Sequence, residues 1–315
     1  MRVTDPAELL AAAQAGDRSA IARLISYVER GGESAAAVSH LTWSAARAAA
    51  VIGLTGAPGA GKSTLTNALV KAVRAKGETI AVLAIDPSSP FTNGAILGDR
   101  VRMQDHATDE GVFIRSMATR GHVGGLSLAT PEAARVLGAV GYPTVLIETV
   151  GVGQVEVEIA GAADTTVVVV NPGWGDAVQA NKAGLLEVAD VFVINKAVRP
   201  GVAEVHRELE AMLDMHTAPG PWRPPIVEAI ASRFEGADAV WEAIDAHRAH
   251  MIETGELERR QAKRAMTEVR EIVVRTIERR AVDALHSSEG QALCDAVTDG
   301  SIDPHTAADK ILEGL

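Results

Sequence analysis

Residues Gly56-Ala57-Pro58-Gly59-Ala60-Gly61-Lys62-Ser63 follow a short apolar run, Val51 to Thr55, and lead into a helical pattern from Lys62 to Lys76. Their spacing satisfies G-x-x-x-x-G-K-[ST], a pattern that constrains a chain more tightly than any composition does. Glycines let successive backbone N–H groups turn inward around phosphates, and the next helix aims the positive end of its dipole at them. Lys62 offers a cation to the β- and γ-phosphates, and Ser63 a hydroxyl to Mg²⁺. The pattern needs a strand before it and a helix after it, and both are predicted here. The sequence therefore predicts a nucleoside triphosphate site on Gly56 to Thr64.

The rest of the chain suits the fold that such a loop demands. Thr79 to Ile85, Thr144 to Ile147, Thr165 to Val170 and Val191 to Ile194 are continuous apolar runs. Continuous runs, unlike alternating ones, predict strands covered on both faces, as in a parallel sheet. Helical patterns fall between them, at Pro131 to Val140 and Ala177 to Ala189. The expected class is α/β: a P-loop NTPase with a doubly wound, mostly parallel sheet. Asp5 to Arg30 reads as one helix ended by Gly31-Gly32, and Ala35 to Ala48 as a second. Beyond Trp241 the pattern is helical and charged, and Leu257, Met266, Val269, Ile272, Val273 and Ile277 make one apolar stripe. That stripe either closes over its own core or forms a helical dimerisation arm, and the arm is the reading adopted. The expected division is an N-terminal helical extension over 1–48, a nucleotide-binding domain over 49–250 and the arm over 251–315.

Composition excludes several partners. A formal net charge of −11 repels nucleic acid and anionic membranes, which attract basic faces. No apolar run approaches the roughly 20 residues that span a bilayer. The N-terminus has no basic-then-apolar profile of a leader. The single cysteine, Cys294, permits no internal disulfide and fits a reducing compartment. A cytoplasmic protein with Cys294 buried on a helix is the expectation.

Three acids are candidates to orient Mg²⁺ and water: Asp86 after Thr79 to Ile85, Asp99 in the loop beyond, and Glu148 after Val145-Leu146-Ile147. Asp86 and Glu148 fall at carboxyl ends of predicted parallel strands, where open α/β sheets bind ligands. Glu148-Thr149-Val150-Gly151 has the form of a switch whose glycine N–H senses the γ-phosphate, and Gln154 just beyond reads equally as a residue that orients water or as an ordinary surface glutamine. Val191-Phe192-Val193-Ile194-Asn195-Lys196 runs a strand into Asn-Lys. In GTPases the N-K-x-D element holds guanine: Asn fixes the turn, Lys packs over the ring, and Asp accepts from the ring and amino N–H groups. Here the Asp position is Val198.

Several long segments extend these motifs. They are G-A-P-G-A-G-K-S-T (Gly56 to Thr64), A-I-D-P-S-S-P-F-T-N-G-A-I-L-G-D-R (Ala84 to Arg100) and S-M-A-T-R-G-H-V-G-G-L-S (Ser116 to Ser127). E-T-V-G-V-G-Q (Glu148 to Gln154) and N-P-G-W-G-D-A-V-Q-A-N-K-A-G (Asn171 to Gly184) complete the set. With them the chain resembles, over nearly its full length, the MeaB/ArgK family of P-loop GTPases. That family comprises homodimeric chaperones of adenosylcobalamin-dependent acyl-CoA mutases such as methylmalonyl-CoA mutase. The resemblance implies GTP/GDP and Mg²⁺ as ligands, with Lys62 and Ser63 on phosphate and metal. It also implies an acidic cluster of Asp86, Asp99 and Glu148, and a further switch from Asp176 to Lys182 that reports nucleotide state to the mutase. Two positions depart from it: Val198 replaces the guanine-reading Asp, and the later loop expected to read S-A is Ile230-Ala231. An apolar group forfeits the discrimination that a hydrogen-bonding site provides. That leaves open GTP held by backbone groups with relaxed selectivity, another nucleotide, or weak binding, and GTP is the reading adopted.

The implied mechanism is attack on the γ-phosphate by an acid-held water, relaxing Glu148 to Gln154 and Asp176 to Lys182. Turnover is expected to be slow, because no arginine finger is evident and such groups supply roughly 10³ to 10⁵ in rate. Arg115, Arg120 and His122 are the candidates for that role. Competing classes are a nickel or cobalt metallochaperone, an ATPase or kinase serving amino-acid transport, and a scaffold that only binds nucleotide. The first needs a His- or Cys-rich carrier tract, whereas the nine histidines are scattered.

Overall fold

A computed structural model describes residues 4–44, 49–86, 106, 108–118, 129–149, 155–173, 184, 187–215 and 221–314. Its centre is a sheet of seven strands, β1 (Ala50–Thr55), β2 (Ile80–Asp86), β3 (Val112–Ala118), β4 (Thr144–Thr149), β5 (Thr165–Val170), β6 (Val191–Asn195) and β7 (Ile226–Ala229). The order is β3-β2-β4-β1-β5-β6-β7, and the neighbouring strands pair in parallel. Five of these strands correspond to the apolar runs. β3 and β7 are additional.

Side-chain alternation sends each strand to two helical layers. Ile52, Leu54, Val82, Leu146, Val167 and Val193 face α4 (Lys62–Ala75) and α8 (Ala237–Glu253), meeting Leu65, Leu69, Val240 and Ile244. The opposite residues, such as Leu83, Ile85, Val145 and Ile147, face α5 (Ala129–Ala139), α6 (Val155–Ala162) and three N-terminal helices. On the far side of β1, Val168, Val170, Phe192 and Ile194 meet Val205 and Leu209 of α7 (Val202–Met215). Each fully buried Leu or Ile of this kind contributes about 1.5–3 kcal/mol.

The N-terminal stretch is three helices, α1 (Pro6–Gln14), α2 (Arg18–Arg30) and α3 (Gly32–Thr42). The single helix expected over Asp5 to Arg30 breaks where Gly16 takes φ +98°. Asp17 then caps α2 by accepting from the N–H groups of Ser19 and Ala20, as Asp5 caps α1 through those of Ala7 and Glu8, so these two helices have separate start signals. Leu9, Ile21, Leu24 and Ile25 are buried in the same core as one half of the sheet.

At the amino ends of β5 and β6 the sequence repeats Ala-Asp before an apolar run, at Ala163-Asp164 and Ala189-Asp190. Each carboxylate accepts from a backbone N–H of the adjoining strand, Asp164 from Val51 (2.9 Å) and Asp190 from Thr166 (2.8 Å). Asp190 carries more. Arg260 donates to both of its oxygens at 3.0 Å, and His247 Nε2 lies 3.2 Å from Oδ1. The other imidazole nitrogen lies 2.9 Å from Thr165 Oγ1, and the Trp222 indole N–H donates to the Asp190 carbonyl. Burial pushes the Asp190 carboxyl up, but the hydrogen bonds from His247 and Arg260 outweigh it and leave it below its ordinary value.

The chain divides into two compact units, Met1–Arg260 and Gln261–Leu315. The second contains most of α9 (Glu256–His286), then α10 (Ser288–Thr298) and α11 (Pro304–Glu313). No residue of α9 is buried, and Met266, Val269, Ile272, Val273 and Ile277 are all exposed. Cys294, expected to be buried, is exposed on α10. Helical periodicity shows which residues share a face, but not that anything covers that face. Among the described residues no helix is long and apolar enough to cross a membrane.

Candidate nucleotide-binding site

β1 lies at the switch point of the sheet, with β4 on one side and β5 on the other. Ligands of open α/β sheets bind at the carboxyl ends of such strands. There the chain leaves Thr55 through Gly56 (φ +135°), Gly59 (+76°) and Gly61 (+94°) before α4 begins. These left-handed values disfavour any side chain, and at two positions space forbids one as well. A Cβ on Gly56 would stand 2.1 Å from the Val169 carbonyl oxygen, and one on Gly61 2.4 Å from Asn195 Nδ2. Ala60 is fully buried under the turn, whereas Pro58 and Thr64 are exposed.

The loop wraps its own lysine. Lys62 is buried, and its Nζ donates to the carbonyls of Gly56 (2.6 Å) and Ala57 (3.2 Å). Beside it the Ser63 hydroxyl donates to Glu148 Oε1 at 2.5 Å. Glu148 is in register with Leu54 of β1 and Ala84 of β2, so the sheet itself sets this pairing. Thr149 continues the strand by donating to the Leu54 carbonyl at 3.3 Å. An ammonium, a hydroxyl and a carboxylate thus meet at one end of the sheet, at the N-terminus of α4. The set complements a polyanion together with a hard divalent cation.

A second segment is clasped to the first. β6 ends on buried Asn195, whose Nδ2 donates to the carbonyls of Ala60 (3.0 Å) and Gly61 (3.3 Å). Its Oδ1 accepts from the N–H groups of Lys196 (2.8 Å) and Ala231 (3.1 Å). Lys196 has φ +59°, and its Nζ reaches the Gly59 carbonyl at 2.5 Å. Asn195 and Lys196 are therefore brought against Gly59 to Gly61 from 134 or more residues away, and Ala231 joins them through Asn195. The sequence pointed to these three residues but gave no sign of the clasp, which is a long-range contact.

Asp86 is the last residue of β2, with its side chain outside the described residues; Asp99, Gly151, Gln154, Asp176 and Lys182 also lie outside them, as do Arg120 and His122. Arg115, a candidate arginine finger, is engaged elsewhere. Its guanidinium meets Glu29 (2.5 Å) and Ser26 (3.1 Å) of α2, bracing the N-terminal helices on β3.

Comparison with known proteins is consistent with this geometry. A protein-family model described as "Methylmalonyl Co-A mutase-associated GTPase MeaB" matches residues 21–286. A Pyrococcus abyssi protein named as a GTPase is 46% identical, with 98% of this chain and 96% of that protein aligned. The mitochondrial methylmalonic aciduria type A homolog of Mus musculus is 36% identical, over 65% of this chain and 51% of its own. Among solved structures, one described as an LAO/AO transport system kinase superposes with a TM-score of 0.71. It is 25% identical and covers 99% of both chains.

Proposed function

The chain belongs to the MeaB family of GTPases, and on that footing we propose that it is a Mg²⁺-dependent GTP hydrolase serving as chaperone to an adenosylcobalamin-dependent acyl-CoA mutase. The mutase is of the methylmalonyl-CoA mutase type, and nucleotide state gates cofactor loading or protection of that enzyme. The observation that carries the reading is the meeting of Lys62, Ser63 and Glu148 at the phosphate loop in a chain whose family model names a mutase association.

In this proposal the amides of Gly56 to Thr64 hold the phosphates and Lys62 neutralises the β- and γ-groups. The Ser63 hydroxyl and Glu148 carboxylate are hard oxygen donors already in contact, which suits Mg²⁺. With Asp86 and Asp99 they would hold that ion, which when bound neutralises phosphate charge. A carboxylate of this cluster orients the water that attacks the γ-phosphate, giving GDP and phosphate. The Gly151 N–H senses the γ-phosphate, Gln154 helps place the water, and Asp176 to Lys182 carries the change to the mutase. Asn195, Lys196 and Ala231 frame the base.

The test is phosphate release with and without a cobalamin-dependent mutase. Slow intrinsic turnover that rises on adding the mutase is expected, by about tenfold or more if it completes the charge stabilisation that one donor supplies. A rate indifferent to every such mutase would remove the chaperone reading. The solved transport-system kinase favours a second reading, an ATPase or kinase linked to amino-acid transport. Preference for ATP over GTP in the same assay would select it.

The division into an extension (1–48), a nucleotide domain (49–250) and an arm (251–315) belongs to the same proposal, as does a cytoplasmic location. The arm pairs two copies through the exposed stripe of α9, since unpartnered apolar faces of this kind mark association sites. Light scattering is expected to give a dimer mass, and Ile272→Glu to give a monomer. A monomer in the parent chain at micromolar concentration would exclude the pairing.

A further inference from the structure

The turn that follows β6 offers unusually little to the edge of a nucleobase. An asparagine amide has two donor hydrogens and two acceptor lone pairs, and Asn195 commits all four. Its hydrogens go to the Ala60 and Gly61 carbonyls, and its oxygen takes the N–H groups of Lys196 and Ala231. Lys196 Nζ is on the Gly59 carbonyl. The Ala197 N–H goes to the Ala229 carbonyl, and the Arg199 N–H to that of Lys196. These bonds close the turn and leave Val198 at its tip, 61% exposed. A valine neither donates nor accepts.

Guanine and hypoxanthine share the 6-keto group, the N1–H and N7, and differ only in the exocyclic 2-amino group. Reading that group requires an acceptor at the base edge, which is what an acid at position 198 would provide. From this we infer that the chain does not discriminate the purine 2-amino group, so that guanosine and inosine triphosphates are equivalent ligands and Val198 is the residue that makes them so. The inference rests on the GTPase reading and narrows its substrate class. The base is held by packing on Lys196 and by the position of the phosphates, while its 2-amino edge stays in solvent.

Competition of GTP and ITP against a fluorescent guanine nucleotide, with Mg²⁺, tests this directly. In the parent chain the two affinities are expected within about threefold of each other. Val198→Asp places a carboxylate at an exposed tip where it disturbs no packing. A hydrogen bond to a charged group then gives GTP an advantage over ITP of about tenfold to a hundredfold. A parent chain that already prefers GTP tenfold would overturn the inference, as would a Val198→Asp ratio equal to the parent's. Binding of neither nucleotide would overturn the GTPase reading itself, and the inference with it.

Discussion

Lys62→Ala is expected to lower GTP hydrolysis by about 10²–10³-fold, the scale on which one electrostatic donor acts on a developing charge, while leaving the chain folded. The folding half follows from position. Lys62 is the first residue of α4, where alanine is at least as good a helix former. The catalytic half follows from the company Lys62 keeps. It is buried, with Nζ on the Gly56 and Ala57 carbonyls, so the loop is shaped around an ammonium. Preorganised charge of this kind acts without reorganisation at the moment of reaction. Single-turnover phosphate release gives the rate, and circular dichroism melting controls for the fold. Undiminished hydrolysis in a folded variant would leave the phosphate loop without its role.

The second large effect concerns stability. Asp190→Ala is expected to cost about 3 kcal/mol, the low end of the range for removing one member of a buried charge pair, because Arg260 is a third exposed and keeps Glu256. The carboxylate takes two hydrogen bonds from Arg260 and one from the Thr166 N–H, with His247 beside it. Its removal leaves the buried His247 imidazole without its carboxylate and leaves Arg260 only Glu256 and the Asp164 carbonyl. The pH dependence has a definite sign. Because the Asp190 carboxyl sits below its ordinary value of 3.8 in the folded chain, its contribution is fully present above that value and fades as pH falls through the lower, folded one. Urea unfolding should therefore show the widest gap between parent and variant near neutrality, narrowing below about pH 4. A gap that stays constant down to pH 2, or that is absent at pH 7, would contradict the assigned ion cluster.

How much of this was readable depended on whether the signal was local. The five central strands were legible because burial on both faces leaves no room for polar residues, as in Thr165–Val170. β3 was not, because as an edge strand it carries Arg115 to meet Glu29 of α2, which breaks the apolar run. β7 has only four residues, one of them the exposed Glu228, too few to show a pattern. The break between α1 and α2 was marked by Gly16-Asp17, but the flanking apolar spacing reads through it. In the site, Lys62 and Ser63 follow from the motif, and Glu148 from its place at a strand end. The Asn195 clasp and the Asp190 cluster join residues dozens of positions apart, which one chain's spacing cannot reveal. The exposure of Cys294 was missed for a related reason, since amphipathy names a face and not its cover.

Asn195 has a mechanical consequence. One amide bolts the tip of β6 to the backbone at Ala60 and Gly61, so in the proposed site the part that frames the base and the part that holds the phosphates are joined. Prying open either half tugs on the first turn of α4. On the proposed function, displacing either half would therefore disturb the other.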